Sequence, residues 1–233
     1  MSAPAVRPLR IGLAGLGCVG AKAAEWLLDR SHPVHAASPM PLELAAVCVR
    51  DPKKPRPVVL PDTVRMVGTL EELASADVDL VVELIGGVER AGALVGAAIG
   101  TGKDVVTANK ALLAHRGPEL AARAEAAGRL LFYETAVGAG TPTINTVEDS
   151  LGVCTVRSVH GVINGTTNFI LTAMAERAGM TFTEALAEAS ALGYAEADPS
   201  LDVDGHDAAQ KLCLIAQLCF RQEVRPEDVD TTG

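Results

Sequence analysis

The stretch Leu9-Arg10-Ile11-Gly12-Leu13-Ala14-Gly15-Leu16-Gly17-Cys18-Val19-Gly20 decides the fold. A short apolar run meets glycines spaced Gly15-x-Gly17-x-x-Gly20, and Ala21 to Arg30 follows with helix formers and apolar residues at helical spacing. The order is strand, tight turn, helix. Glycines at those positions let the backbone turn sharply and approach a pyrophosphate, whose charge then rests on the free N–H groups of the helix N-terminus. A simple glycine turn has the same spacing, but a strand before it and a helix after it are the context that points to a dinucleotide.

Working outward, a Pro-, His- and Ser-rich loop (Ser31 to Pro41) leads to a second apolar strand, Leu42 to Val49, and to a basic, proline-broken loop, Arg50 to Pro57. Helices are expected at Leu70 to Ala76, Ala91 to Thr101 and Pro118 to Ala127, alternating with strands at Val78 to Leu84, Asp104 to Thr107 and Arg129 to Glu134. The strands are apolar throughout rather than on alternate residues, as in a parallel sheet covered on both faces. This is an α/β, Rossmann-type doubly wound domain, placed at residues 1–145. The texture then changes to a Val-rich segment (Val153 to Val162), a small polar run (Asn164 to Asn168) and helices at Phe169 to Ala178, Thr183 to Leu192 and Ala208 to Phe220. A second domain is therefore placed at 146–233.

Composition narrows the function. With 48% hydrophobic and 21% charged residues the 233-residue chain is globular, not disordered. Aromatic residues make up only 3%, too few for a surface of stacking rings, and a net charge of −9 offers basic faces only locally. Nucleic acid and anionic membranes are thus not the expected partners. No uncharged stretch reaches the roughly 18 to 20 residues a bilayer requires, and Met1 to Arg10 lacks the layout of a signal peptide. Five cysteines (Cys18, Cys48, Cys154, Cys213, Cys219), an odd number without CxxC spacing, read as reduced thiols in a cytoplasmic protein.

Three further groups carry chemistry. The second strand ends in Arg50, with Lys53, Lys54 and Arg56 close by, where an NAD-preferring domain usually places an acid on the ribose 2′-hydroxyl. A 2′-phosphate suits that loop, so NADP is favoured over NAD, the plain alternative being a solvated basic loop. Lys110, in Thr107-Ala108-Asn109-Lys110, follows a strand C-terminus, where an open α/β sheet binds ligands, although a surface lysine would look the same. The densest chemistry runs from Gly193-Tyr194 to Lys211 and includes Glu196, Asp198, Asp202, Asp204 and Asp207. Asp207 and Lys211 share one face of a helix at i, i+4. Calcium is not expected, because the twelfth position of an EF-hand loop would be Lys211. Carboxylates plus a helix-borne lysine suit a small substrate with an ammonium group and an alcohol or carbonyl. The competing reading is helix capping with an exposed pair contributing about 0.3 to 0.5 kcal/mol.

Taken together these motifs resemble the homoserine dehydrogenase family. The likeness rests on Gly12 to Gly20, Glu83-Leu84-Ile85-Gly86-Gly87, Val106 to Leu112, Tyr133 to Pro142, Gly161 to Ile170 and Gly193 to Lys211, in the family's order. It implies NAD(P)-dependent interconversion of L-homoserine and L-aspartate 4-semialdehyde, on the route to threonine, methionine and isoleucine, by a homodimer or homotetramer. By the same resemblance Lys211 is the catalytic lysine, with Asp207 beside it. Glu196 and Asp202 are substrate-binding acids, and Lys110 lies by both cofactor and substrate. Gly15, Leu16, Gly17, Cys18, Val19, Gly20, Arg50 and Gly165 fall at cofactor positions. Glu134, with the carbonyls of Val137, Ala139 and Thr141, matches a monovalent cation site, in the family sodium.

Family members continue with the rest of an α+β substrate and dimerisation domain, whereas this sequence stops at Thr231-Thr232-Gly233. The expectation is an incomplete substrate-domain sheet with exposed apolar surface and open strand edges. The alternative to an active enzyme is a catalytically silent NADP-binding fragment that acts through subunit association.

Overall fold

The computed structural model describes residues 6–195 and 198–233. It divides into two compact units, Met1–Tyr133 and Glu134–Gly233, so the division falls upstream of the 145/146 boundary expected from sequence.

The first unit contains β1 (Leu9–Ala14), α1 (Cys18–Leu28), α2 (Pro33–Ala37), β2 (Leu42–Cys48), β3 (Arg65–Val67), α3 (Leu70–Ser75), β4 (Leu80–Glu83), α4 (Glu89–Gly100), β5 (Asp104–Thr107), α5 (Lys110–Ala126) and β6 (Leu131–Phe132). Its six strands form a single parallel sheet in the order β3-β2-β1-β4-β5-β6. The connections reverse direction between β1 and β4, and ligands of open α/β sheets bind outside the strand C-termini at such a point.

Both faces of the sheet are covered, as the uniformly apolar strands require. One core joins Ala14, Val81 and Val105 to Leu73 of α3, Leu94, Val95 and Ile99 of α4, and Leu112 and Leu120 of α5. The other joins Leu13, Leu44 and Val47 to Ala24 of α1 and to Val64. With so few rings in the chain, small side chains fill these layers, and backbones come close together.

The first turn shows that closeness. Gly15 has φ +96°, and a Cβ there would lie 2.8 Å from the Leu84 carbonyl oxygen. On Gly20 a Cβ would sit 2.1 Å from the Gly15 carbonyl oxygen, inside any permitted contact. The turn is pinned on both sides, the Gly15 N–H donating to the Cys48 carbonyl at 2.9 Å and the Leu84 N–H to the Ala14 carbonyl at 2.9 Å.

Several elements depart from the sequence expectation. Within the loop expected at Ser31 to Pro41, α2 forms because Pro33 opens it and the His32 ring accepts the Val34 N–H. Strand β3 is three residues long and mostly exposed, too short to leave a periodic signal. Helix α5 begins at Lys110 rather than Pro118: Asn109 caps it, accepting the Leu112 N–H at 3.0 Å, and the helix runs through Pro118 with the loss of one backbone donor. The last strand shrinks to Leu131–Phe132, the two residues that find ladder partners on β5.

The second unit contains α6 (Glu134–Val137), α7 (Thr143–Asn145), a π-helical turn (Thr146–Ser150), α8 (Gly165–Glu176), α9 (Phe182–Ala191), α10 (Ser200–Val203) and α11 (His206–Phe220). Helices α8 and α9 pack through Ile170, Ala173, Ala185 and Ala189. An incomplete α+β unit was expected, and no strand forms among the described residues from 134 to 233. Val153 is fully exposed and Val162 is 74% exposed. No helix among the described residues is long and apolar enough to cross a membrane.

Gly20→Ala is expected to lower the melting temperature by about 3 to 10 °C, since overpacking of this kind typically costs about 1 to 3 kcal/mol. Thermal denaturation followed by circular dichroism checks this, and an unchanged midpoint would mean that α1 can back away from the Gly15 carbonyl.

Candidate functional site

A cleft of about 610 Å³ opens at the C-terminal ends of β1, β2 and β4. Gly15, Leu16, Gly17 and Cys18 form its floor, Cys48 to Asp51 and Lys54 to Pro57 one wall, and Leu84 to Gly86 with Arg90 the other. Helix α1 starts here with Gly17 as its N-cap, no side chain accepting from its first N–H groups and no acid in its first turn. Those groups remain available to an anion. A Cβ on Gly17 would meet nothing within 4 Å, so the space above the helix start is open.

The cleft inverts the chain's overall charge. Arg50, Lys54, Arg56 and Arg90 line it against the one carboxylate of Asp51, which is turned into its own loop to accept the Lys53 N–H at 2.9 Å. Arg50, Lys54 and Arg90 are exposed and form no ion pair among the described residues. Arg56 folds back, donating to the Asp51 carbonyl at 2.5 Å and the Leu16 carbonyl at 3.5 Å, while its Nε is buried without a hydrogen-bond partner among the described residues. The sequence reading missed Arg90. It lies at the start of α4 and comes to the cleft only because β4 adjoins β1, and no local motif marks it.

Of the other residues expected at the cofactor, Val19 and Gly20 do not line this cleft; Gly20 serves it by letting α1 approach the turn. Lys110 is the first residue of α5, beyond the C-terminus of β5. Gly165 belongs to the second unit, where it opens α8.

In that unit a polar network is buried under α8 and α11. Asn164 caps α8, its Oδ1 accepting the Thr167 N–H at 2.8 Å and the Thr167 hydroxyl at 2.9 Å. The Asn164 amide then donates to Asp202 Oδ1 at 2.7 Å and Asp207 Oδ2 at 2.9 Å. Lys211 Nζ lies 2.8 Å from Asp207 Oδ2 and donates to the Ile163 carbonyl at 2.9 Å. The side chain of Asp207 is 8% exposed and that of Lys211 19%, so the carboxylate is buried and the lysine largely shielded, unlike the solvated helix pair of the competing reading. Removing Lys211 would strand the buried Asp207 carboxylate, which costs more than the few tenths of a kcal/mol of a surface pair.

Sequence reasoning passed over Asn164 as a hub, although Asn is among the favoured helix N-cap residues. The loop leading to the acids is held by the Thr166 hydroxyl, which donates to the Tyr194 carbonyl at 2.8 Å, and by the stacked rings of Phe169 and Tyr194, 5.0 Å apart. Glu196 lies outside the described residues. Asp198 caps its own turn, and its hydrogen bonds to Ser200 hold its carboxyl below the usual carboxylate range.

Glu134 accepts the Ile144 and Asn145 N–H groups, each at 2.8 Å, through separate carboxylate oxygens. Each oxygen keeps a second lone pair. Val137 closes α6, and the Thr141 carbonyl accepts the Thr143 N–H at 2.8 Å. No group of three or more His, Cys, Asp or Glu side chains among the described residues could hold a metal ion by itself.

A doubly wound sheet whose first turn presents an open helix N-terminus to a cationic cleft is the architecture of a dinucleotide-binding protein. Residues 15–134 match the family model described as "Homoserine dehydrogenase, NAD binding domain", and residues 142–233 match that described as "Homoserine dehydrogenase". The chain is 44% identical to a homoserine dehydrogenase of Synechocystis sp., over 97% of this chain and 51% of that protein. With one of Corynebacterium glutamicum it shares 41% identity over 100% of this chain and 53% of the relative. Among solved structures, a homoserine dehydrogenase from Thiobacillus denitrificans has a TM-score of 0.85 at 35% identity, covering 97% of this chain and 52% of that one. The chain belongs to the homoserine dehydrogenase family, and it spans about half the length of the curated relatives it matches.

The cysteines provide a probe of the cleft. Cys18 and Cys154 are exposed, whereas burial pushes the Cys48, Cys213 and Cys219 thiols above their ordinary range. Because the thiolate is the nucleophile, the three raised thiols should alkylate slowly near neutral pH. Cys18 and Cys154 should react first, and saturating NADPH should slow Cys18 alone. Peptide mapping after a timed iodoacetamide pulse reads this directly; equal protection of both thiols would place the dinucleotide elsewhere.

Proposed function

We propose that this chain carries the cofactor-binding and substrate-binding residues of an NADP-preferring homoserine dehydrogenase, which interconverts L-aspartate 4-semialdehyde and L-homoserine in amino-acid biosynthesis. The observation that carries the reading is the Lys211 ammonium, held between a buried carboxylate and a backbone carbonyl in the unit that matches the family's own model.

The cofactor, when bound, supplies or accepts a hydride at the substrate carbon. In the first unit the Gly15 to Gly20 turn and the start of α1 would receive its pyrophosphate, and Arg50 its 2′-phosphate. Lys211 Nζ has three N–H directions, and Asp207 and Ile163 take two. The third is left to give a proton to the substrate oxygen as the aldehyde is reduced, and to take it back in the reverse direction. Asp202 spends one oxygen on Asn164, and its other has no partner among the described residues, which leaves it for the substrate ammonium. Glu134 and the carbonyls of Val137, Ala139 and Thr141 would hold the sodium ion. The reading includes a homodimeric or homotetrameric assembly in the cytoplasm.

Purified chain supplied with aspartate semialdehyde and NADPH should turn over, faster in sodium than in tetramethylammonium buffer. Lys211→Ala should reduce kcat by about 10² to 10⁴-fold with the NADPH dissociation constant unchanged. NADPH binding without turnover of the wild-type chain would favour the silent-fragment alternative and overturn this reading.

Arg50→Asp should lower the ratio of kcat/KM for NADPH to that for NADH by about 10 to 100-fold, the worth of a hydrogen bond to a charged group. Steady-state kinetics with both cofactors measures it, and a constant ratio would show that the 50–57 loop does not read the 2′-phosphate.

A further inference from the structure

Glu83, the last residue of β4, is a completely buried carboxylate that none of the roles above employs. Its strand neighbour on β5 is Thr107, 1% exposed. Glu83 Oε1 accepts the N–H groups of Ile85 at 2.8 Å and Gly86 at 3.1 Å, and Oε2 accepts the Thr107 hydroxyl at 2.5 Å. Thr107 Oγ1 in turn accepts the Asn109 N–H at 3.0 Å. Asn109 closes the circuit, its amide donating to the Gly87 carbonyl at 2.6 Å while its Oδ1 caps α5. Two side chains at the ends of adjacent strands therefore fix two consecutive loops to each other.

Both loops face the ligand side of the sheet. Leu84, Ile85 and Gly86 form a wall of the dinucleotide cleft, and the Leu84 carbonyl abuts Gly15. The other loop ends at Lys110. Burying a carboxylate is unfavourable unless donors surround it, and the strand positions nearby are filled by apolar residues such as Val81 and Val105. An apolar residue at position 83 would serve the sheet, but it would leave the Ile85 and Gly86 N–H groups and the Thr107 hydroxyl without an acceptor. The carboxylate is thus matched to the shape of the turns rather than to the packing of the core.

We propose that Glu83 and Thr107 are positioning residues for the dinucleotide, acting through the Leu84 to Gly86 wall and the Asn109-Lys110 start of α5. The proposal rests on the dinucleotide reading of the cleft. Its test is NADPH binding, followed by the change in nicotinamide fluorescence, which does not depend on turnover. Thr107→Ser keeps the hydroxyl and should bind as the wild type does. Thr107→Val is nearly isosteric but breaks the link between Glu83 and Asn109, and it should weaken NADPH about 5 to 30-fold in a chain that still shows a cooperative thermal melt. Glu83→Gln keeps an acceptor for the Ile85 and Gly86 N–H groups but can turn an amide donor toward Thr107. It should weaken NADPH by a similar factor, and it decides the matter should Thr107→Val fail to fold. In a Lys110→Met background, Thr107→Val should have less than its full effect, because part of its action passes through Lys110. A folded Thr107→Val or Glu83→Gln chain with wild-type affinity overturns the proposal. A wild-type chain that binds neither NADPH nor NADH overturns the cleft reading, and the proposal with it.

Discussion

The close approach of three backbones at the end of β1 is the constraint on which the rest of the structure depends. Between Ala14 and Gly20 the chain must leave a central strand, pass beneath the Leu84 carbonyl and start a helix that nearly touches the Gly15 carbonyl. Only residues without a Cβ satisfy the two tightest of these contacts. In return, α1 begins with its N–H groups directed into the space where the sheet's connections reverse. The cleft is located by this packing, not by any side chain that touches a ligand, and the side chains around it then decide which ligand it accepts.

The two units treat charge in opposite ways. Around the cleft, the exposed Arg50, Lys54 and Arg90 form no ion pair among the described residues, so their attraction for a phosphate is long-ranged and weakened by salt. In the second unit Asn164, Asp202, Asp207, Lys211 and the Ile163 carbonyl are hydrogen-bonded to one another around the buried Asn164 and Asp207. A buried pair of this kind is weak evidence of stability, because well-packed apolar residues of similar volume often do as well or better. What it does fix is the direction of the Lys211 ammonium, tied to Asp207 and to the Ile163 carbonyl. The first arrangement suits capture of a polyanion, and the second suits the orientation of a small polar substrate.

Much of the first unit was legible because its signals are local. The Gly15 to Gly20 spacing, the apolar strands and the alternation with helices each follow from a few adjacent residues, and the family likeness extends over both units. What escaped the sequence depends on partners distant in the chain or on short caps. Strand β3 has three residues and one buried side chain. The start of α5 was obscured by Pro118, whose usual meaning as a helix opener concealed the stronger cap at Asn109. Arg90 reaches the cleft through strand order, which no window of sequence encodes. Asp207 and Lys211 were visible as an i, i+4 pair, but their burial was not, because it depends on Asn164 and Ile163, more than forty residues away along the chain.

Burial also changes what the acidic segment from Asp198 to Lys211 means. A cluster of carboxylates in a chain of net charge −9 reads first as a solvated surface, and part of it is one: Asp198 is exposed and occupied with its own turn. The distinction lies in which acids find donors from another element. Asp202 and Asp207 share the Asn164 amide, and that amide can face them only because the same side chain's oxygen is committed to capping α8. A helix N-terminus thus orients one asparagine, the asparagine orients two carboxylates, and the second of these orients the lysine. Each step uses an ordinary hydrogen bond, and the order follows from the cap, since the direction of an amide is fixed once its oxygen is engaged.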